Sequence, residues 1–176
     1  MEIRLVKPTD ASLLSAYHLK NAEHFKQWEP KREKNYFSVT QLNRRLTSFV
    51  IAQNEGRAAY FVAIENGEII AHCSLTNIIY GPLKACHIGY GVTMELEGKG
   101  LMTKVCQHAI NHAFKKLGLN RVMAAYMPKN VRSEALLNKL GFSREGLAKK
   151  YLQINGQWED HVLMSLINPN NTNRNS

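Results

Sequence analysis

The dipeptide Asn66-Gly67 constrains the fold more than any other feature, because it separates two apolar runs, "AYFVAIE" and "EIIAHCSLTNI". Asn-Gly between alternating segments is the strongest local signal for a two-residue β-hairpin. A third run of the same kind, "KACHIGYGVTM", follows soon afterwards. These three segments predict three consecutive antiparallel strands.

Further strand and helix patterns surround this region. "EIRLVK" predicts an opening strand, and "PTDASLLSAYHLKNA" and "SVTQLNRRLTSFV" predict two helices, the second with a capping box of Ser38 and Gln41. Residues 101–117 carry one apolar helical stripe, which ends before Gly118. "NRVMAAYM" predicts a strand, "KNVRSEALLNKLGF" a helix that ends at Gly141, and "YLQINGQWEDHVLMSLI" a second hairpin. The predicted fold class is α/β (α+β), with one central, mixed but mostly antiparallel sheet flanked by helices.

The 176 residues fit a single domain with its own core. We place this domain at residues 1–168 and expect the polar residues 169–176 to fray as a C-terminal tail. No apolar run approaches the roughly 18–20 residues of a membrane span, and the first ten residues lack the apolar segment of a secretory signal. Three widely spaced cysteines fit buried free thiols, so the expected location is cytoplasmic, with no membrane partner.

A glycine turn, "EGKGLMTK", lies between the third central strand and the apolar helix. The start of a helix leaves its first N–H groups unpaired, and Gly98 and Gly100 would let a bulky anion approach them. A Walker loop would need a Lys followed by Ser or Thr after the second glycine, where Leu101 stands, and a dinucleotide fingerprint would need a third glycine where Thr103 stands. The turn therefore predicts a phosphate site that is neither a Walker loop nor a dinucleotide-binding turn. A glycine turn between a strand and a helix is also common where no ligand binds.

Two histidines in the same helix, His108 and His112, have a metal-binding spacing. The glutamate of an H-E-x-x-H motif is missing between them. We therefore expect both on a solvated helix face and predict no metal site.

The glycine turn and later segments resemble a known enzyme family. "EGKGLM" is similar to the acetyl-coenzyme A loop, Q/R-x-x-G-x-G/A, of the GNAT superfamily of N-acetyltransferases, with Glu97 in place of Gln or Arg. "NVRSEALLNKLGF" is similar to the family's second cofactor helix, with Leu137 where many members have a tyrosine. "WEP", "YMPKNVRS" and "GQWEDHVL" resemble the ribosomal-protein-alanine N-acetyltransferases, the RimJ/RimL branch and its RimJ type in particular, from residue 4 to about residue 167.

The resemblance implies a GNAT fold and acetyl-CoA as the cosubstrate. It further implies an N-terminal acetyltransferase, whose acceptor is the α-amine of an alanine on a ribosomal protein. The positions that it assigns to cofactor binding are Val92, Thr93, Met94, Glu97, Gly98, Lys99, Gly100, Leu101, Met102, Thr103, Asn130 and Ser133. Backbone N–H groups of residues 92–94 would also hold the oxyanion, and Gly91 fits a bulge that opens the cleft.

The catalytic roles fall to two side chains. Ser133 would donate to the leaving sulfur, because Leu137 cannot supply the family's tyrosine hydroxyl. Glu29 in "WEP" is the candidate general base, and a surface carboxylate without a role is the alternative. Glu95 is a second candidate for the base, and Glu159 and Asp160 are weaker ones. A modest base suffices, since an α-amine with a pKa near 8 is about 10% neutral at pH 7, whereas a lysine is well under 0.1% neutral.

Two other functions stay open at this point. The acceptor could be a small amine or an internal lysine, or the chain could be a ribosome-assembly or RNA-associated factor of the same fold. The net charge of +9 favours an anionic partner, either a cofactor's phosphates, RNA or an acidic protein, although a basic surface needs no partner. Because a free ribosomal protein is itself basic, we expect the enzyme to dock on ribosomal or pre-ribosomal RNA through its basic surface.

Overall fold

A computed structural model of the protein describes residues 1–171. The strands are β1 (Glu2–Leu5), β2 (Ala59–Glu65), β3 (Glu68–Ile79), β4 (Ala85–Val92), β5 (Arg121–Tyr126), β6 (Ser143–Ile154) and β7 (Gln157–Ile167). The α-helices are α1 (Ala11–Lys20), α2 (Ala22–Lys26), α3 (Val39–Asn54), α4 (Leu101–Asn111) and α5 (Val131–Lys139). Residues Pro8–Asp10 and Met94–Leu96 form short 3₁₀ turns, and a π-helical turn, His112–Lys116, extends α4.

The strands form one seven-stranded sheet in the order β1-β2-β3-β4-β5-β7-β6. All neighbouring pairs are antiparallel except β4 and β5, which are parallel. The prediction of a central, mostly antiparallel sheet flanked by helices is therefore confirmed. Both Asn-Gly turns have the positive φ values that a type I′ turn requires, 52° and 80° at Asn66 and Gly67 and 46° and 85° at Asn155 and Gly156.

The helices cover the sheet on two sides and create two apolar clusters. Helix α4 contributes Val105 and Ile110 to the cluster that contains Phe61 and the fully buried Leu137 of α5. A smaller cluster joins Leu14 and Tyr17 of α1 to Leu42 and Leu46 of α3. Ser38 caps α3 as predicted, because its side chain accepts a hydrogen bond from the Gln41 N–H at 3.4 Å. The reciprocal half of the predicted capping box is not formed, since the Ser38 N–H donates to the Asn35 carbonyl at 3.0 Å instead of to the Gln41 side chain.

The parallel pair opens into a gap. Strand β4 pairs with β5 only at Ala85, Cys86 and His87. Beyond His87 the two strands no longer pair with each other. Strand β5 continues along β7 through Tyr126, and β4 continues along β3 through Val92. The sheet is therefore split at the carboxyl ends of β4 and β5.

The expectation that Gly91 forms a bulge is wrong. Gly91 pairs with His72 in an unbroken register, and the register shift between β3 and β4 lies between Thr76 and Ile79 instead. A β-carbon at Gly91 would lie 2.6 Å from His72 Cε1 and 3.3 Å from Phe25 Cε1. The glycine is needed because these two rings occupy the space that a side chain would fill.

Two boundaries differ from the sequence expectation. Strand β6 begins at Ser143, well before the predicted "YLQI" segment, and its register shifts between Ala148 and Leu152. The predicted tail 169–176 falls partly outside the described residues, which end at 171. Within residues 1–171, no helix is long and apolar enough to cross a membrane, and no group of three or more His, Cys, Asp or Glu side chains is arranged to hold a metal.

Candidate active site

Two cavities meet at the gap between β4 and β5. The narrow cleft, about 390 Å³, is lined by the end of β4, residues 96–103 and one face of α5. The wide cavity, about 950 Å³, is lined by α1, α3, the segment between α2 and α3, and strands β2 to β5. Four residues belong to both walls: Trp28, Tyr90, Asn130 and Ser133. A molecule in the narrow cleft can therefore meet a molecule in the wide cavity at these four side chains.

The start of α4 gives the narrow cleft an anion-binding wall. Gly98 and Gly100 have φ values of 72° and 77°, which explains why both positions are glycine. A β-carbon at either residue would meet no heavy atom within 4 Å, so the space in front of this backbone is open. Helix geometry leaves the N–H groups of Leu101, Met102 and Thr103 without helical acceptors. Together with the partial positive charge of the helix start, these groups fit a phosphate.

Glu97, at the position where the family has Gln or Arg, pairs with basic side chains on both walls of the cleft. Its carboxylate forms a salt bridge with Arg132 of α5 and lies 3.3 Å from His24 Nε2 of α2. These contacts tie the glycine turn to two helices on either side of the cleft. Arg132 and Lys139 of α5 both line the cleft; Arg132 is paired with Glu97, and Lys139 adds a further positive charge to the wall.

The backbone of β4 presents donors to the gap. The Thr93 N–H donates to the Ile70 carbonyl at 3.0 Å and so faces β3. Because N–H groups alternate along a strand, those of Tyr90 and Val92 point the other way, where β5 no longer pairs. Val92 lines the narrow cleft, whereas Thr93 is buried outside it and the predicted contact through its N–H is wrong.

Two more predicted positions lie outside the cleft wall. Met94 has a side chain that is 65% exposed, and neither Met94 nor Lys99 lines either cavity. The other predicted cofactor residues line the narrow cleft: Val92, Glu97, Gly98, Gly100, Leu101, Met102, Thr103, Asn130 and Ser133.

Ser133 stands at the junction of the cavities with a partner that the sequence reading missed. Its Oγ lies 2.5 Å from the hydroxyl oxygen of Tyr90 on β4. The Asn130 side chain caps α5 by accepting the Ser133 N–H at 3.1 Å, which fixes the serine in place. Burial raises the pKa of the Tyr90 phenol, so its hydroxyl keeps its proton at neutral pH. Leu137 is fully buried in the core and cannot reach the junction.

Glu29 lies in the wall of the wide cavity. Burial raises the pKa of its carboxyl, and the charge of Arg32 opposes that shift in part. The Glu29 carbonyl accepts the Asn155 N–H at 3.0 Å, so the tip of the β6–β7 hairpin holds this loop. The Glu29 carboxylate is thus the kind of group that can accept a proton inside the cavity.

The other carboxylates named as candidate bases lie elsewhere. Glu95 is exposed and lines neither cavity. Glu159 lies 3.4 Å from Lys129 Nζ, and Asp160 accepts the Lys150 N–H at 2.8 Å. Within residues 1–171, Glu29 is the only carboxylate that lines the wide cavity.

Two buried histidines also line the wide cavity and are neutral at pH 7. Burial lowers the pKa of His72 to about 4 and that of His18 to about 3. His72 Nδ1 lies 3.1 Å from the Tyr17 hydroxyl, and the His18 ring stacks on Phe37 at 4.0 Å. Neutral rings with such low pKa values are weak bases, so their contribution is to shape the wall.

Comparison with known proteins agrees with this geometry. The family described as "Acetyltransferase (GNAT) domain" matches residues 1–143. The ribosomal protein uS5-alanine N-acetyltransferase of Escherichia coli is 38% identical over 169 residues, which cover 95% of this chain and 87% of that protein. The ribosomal-protein-S5-alanine acetyltransferase of Vibrio fischeri is 41% identical with a TM-score of 0.93, over 96% of this chain and 93% of that one. The RimJ protein of Mycobacterium smegmatis, solved with a CoA-disulfide, is 31% identical with a TM-score of 0.87, over 94% and 80% of the two chains.

Proposed function

The chain belongs to the GNAT acetyltransferase family and is an acetyl-CoA-dependent N-acetyltransferase, and we propose that its acceptor is the α-amine of an N-terminal alanine on a ribosomal protein. The observation that supports this proposal best is the meeting of the two cavities at Ser133 and Tyr90, since it provides separate approaches for the cofactor and for a chain end. The similarity to enzymes that act on the alanine of ribosomal protein uS5 supports the acceptor class.

The narrow cleft has the features that acetyl-CoA needs. The N–H groups of Leu101, Met102 and Thr103 would bind the diphosphate, and Gly98 and Gly100 leave room for it. Lys139 would add positive charge from α5, next to Arg132, whose charge is shared with Glu97. The unpaired edge of β4 would bind the extended arm of the cofactor, so that the thioester reaches the junction at Ser133.

Acetyl-CoA supplies a thioester whose carbonyl carbon is attacked by a neutral amine. The N–H groups of Val92 and Tyr90 would donate to the carbonyl oxygen as negative charge develops there. The Ser133 hydroxyl would donate to the departing sulfur, and the Tyr90 hydroxyl would donate in turn to Ser133 Oγ. A thiol with a pKa near 8.5 leaves readily, so a hydrogen bond suffices where a full proton transfer is unnecessary.

Glu29 would accept the proton of the attacking amine, directly or through water. Burial raises the pKa of the Glu29 carboxyl toward the pKa of the amine, and a higher pKa makes the carboxylate a stronger base. The cost of deprotonating an α-amine is about 3 kcal/mol lower than for a lysine, so this carboxylate is matched to a chain end.

The proposal includes the place where the enzyme meets its acceptor. With a net charge of +9, the enzyme and a free basic protein repel each other, and docking on ribosomal RNA removes that repulsion. The reaction that we propose therefore takes place in the cytoplasm, on assembling ribosomes. Co-sedimentation with pre-ribosomal particles should weaken steeply as salt is raised, and binding that is insensitive to salt would contradict the RNA contact.

Two matched peptides test the acceptor class. One carries a free N-terminal alanine, and the other has a blocked terminus and an internal lysine. Release of CoA thiol is measured with each, and with spermidine as a small amine. Turnover on the free alanine alone is expected. Turnover mainly on lysine or spermidine would reject the proposed acceptor, and turnover on none would favour a non-catalytic ribosome-associated role.

A further inference from the structure

Three arginines in the wall of the wide cavity lack an acidic partner. They are Arg32, Arg44 and Arg45. Among the other arginines of residues 1–171, Arg4, Arg57, Arg121 and Arg132 have a carboxylate within 4.0 Å, and Arg144 has none. No carboxylate of residues 1–171 lies that close to any of the three arginines in the cavity wall. Glu29, the only carboxylate of that wall among the described residues, forms no salt bridge with them, although the charge of Arg32 acts on it at longer range.

The fold holds two of these guanidinium groups by neutral contacts alone. The Arg45 guanidinium carbon lies 3.6 Å from the centre of the Tyr36 ring, and that of Arg32 lies 4.7 Å from the same centre. Arg45 donates hydrogen bonds to the carbonyl oxygens of Tyr36 and Gln41. One aromatic ring thus brings two like charges together, an arrangement that an anion between them would stabilise.

The charge of these arginines extends into the cavity. The pKa of His18 is lowered first by burial, then by His72 and by the charges of Arg45 and Arg32. A cation that enters the cavity meets the same repulsion. Three guanidinium groups and the single Glu29 carboxylate give the charged side chains of the described wall a net positive charge, which favours a ligand with a negative group.

We propose that the wide cavity binds an acidic side chain of the acceptor, located a few residues after the acetylated terminus, through Arg32, Arg44 and Arg45. This inference rests on the proposed function, because the acceptor's first residues must fill the cavity for its α-amine to reach Ser133. Guanidinium groups bind carboxylates through paired, charge-assisted hydrogen bonds, which fixes the position of the acidic residue along the acceptor. The same contact selects one N-terminal sequence among many alanine termini.

A peptide series tests the position and the charge together. Each peptide begins with alanine, and glutamate or its neutral isostere glutamine is placed at the second, third, fourth or fifth position. The value of kcat/KM is measured from thiol release at low and at raised salt. At one position, glutamate should exceed glutamine by about tenfold, mainly through KM, and the difference should shrink with salt.

Variants assign the preference to the arginines. Arg44→Gln, at an exposed residue, and Arg32→Gln should each reduce the preference for glutamate, and the pair together should abolish it. Arg45→Gln is a further variant, checked by its melting temperature because Arg45 also holds Tyr36. Arg57→Gln, outside both cavities, is the control and should keep the full preference.

The outcomes separate this inference from the proposed function. Equal turnover of glutamate and glutamine peptides at every position would overturn the inference and leave the acceptor class intact. A glutamate preference that survives the Arg32→Gln, Arg44→Gln and Arg45→Gln changes would overturn the assignment to these side chains. Absence of turnover on every alanine peptide would reject the proposed function itself.

Discussion

The contact between Tyr90 and Ser133 leads to a quantitative prediction. Tyr90→Phe removes one hydroxyl and leaves Ser133 Oγ without the partner that lies 2.5 Å away. A neutral hydrogen bond contributes about 0.5–1.5 kcal/mol, and each 1.36 kcal/mol changes a rate tenfold. We therefore expect kcat to fall by about 2- to 10-fold, with both KM values within about twofold of the wild type.

Ser133→Ala should cost more, because it removes the group that contacts the sulfur. We expect a fall of about 10- to 100-fold in kcat, at or below the lower limit of general acid catalysis, because the thiol is a good leaving group. If Tyr90 acts through Ser133, the double variant should be no slower than Ser133→Ala alone.

The assay is CoA thiol release at saturating acetyl-CoA and saturating alanine peptide. Tyr80→Phe is the matched control, since that hydroxyl donates to the Gly56 carbonyl at 2.7 Å and lies outside both cavities. Multiplicative losses in the double variant would refute the coupling between the two hydroxyls. A Tyr90→Phe effect confined to KM would refute a role in the departure of the sulfur.

Three further predictions concern stability and pH. Gly91→Ala should lower the free energy of unfolding by about 1–3 kcal/mol, because its β-carbon would lie 2.6 Å from the ring of His72, whose position is fixed by a contact with Tyr17. Denaturant titration measures this change, and an unchanged midpoint would contradict the prediction. Glu29→Gln should lower kcat/KM yet leave the melting temperature at pH 8 equal to or above that of the wild type. Burial raises the pKa of this carboxyl in the fold, so its contribution to stability falls as pH rises through that pKa; a lower melting temperature in the variant would argue against a destabilising carboxylate. The pKa of His18 is lowered from 6.5 to about 3, so its contribution to stability is complete above pH 6.5 and is lost as the pH falls toward 3. His18→Phe should therefore flatten the decline in melting temperature between pH 7 and 4, and an equally steep decline in the variant would exclude His18 as the source.

Much of the fold follows from local signals in the sequence. The two Asn-Gly turns, the Ser38 cap and the glycines before α4 each depend on backbone conformations that few residues adopt, and all appear where predicted. Strand β6 was recognised only in part, because "SREGLAKK" is polar and belongs to an edge strand that is exposed along most of its length. Its pairing with β7 comes from the tertiary structure and leaves no apolar alternation in the sequence.

The candidate site was predictable where backbone geometry defines it and not where distant residues meet. Gly98 and Gly100 follow from the helix start, but the contact between Tyr90 and Ser133 joins residues 43 positions apart. No spacing rule indicates that a tyrosine inside an apolar strand faces the gap. The reason for a glycine at position 91 was not predictable for the same reason, because the rings of His72 and Phe25 approach it only in the folded protein. Likewise, the sequence does not indicate that Arg32, Arg44 and Arg45 line one cavity, because the rest of that wall comes from distant parts of the chain.

The acceptor can be identified directly by using ribosomal proteins that have not been exposed to the enzyme. Ribosomes from a strain without the gene would be incubated with the enzyme and acetyl-CoA carrying a heavy-isotope acetyl group, and every labelled peptide would be sequenced by mass spectrometry. We predict one dominant label, on the α-amine of an alanine at the start of a ribosomal protein. Labels spread over internal lysines, or a label absent from every chain end, would contradict N-terminal acetylation as the function.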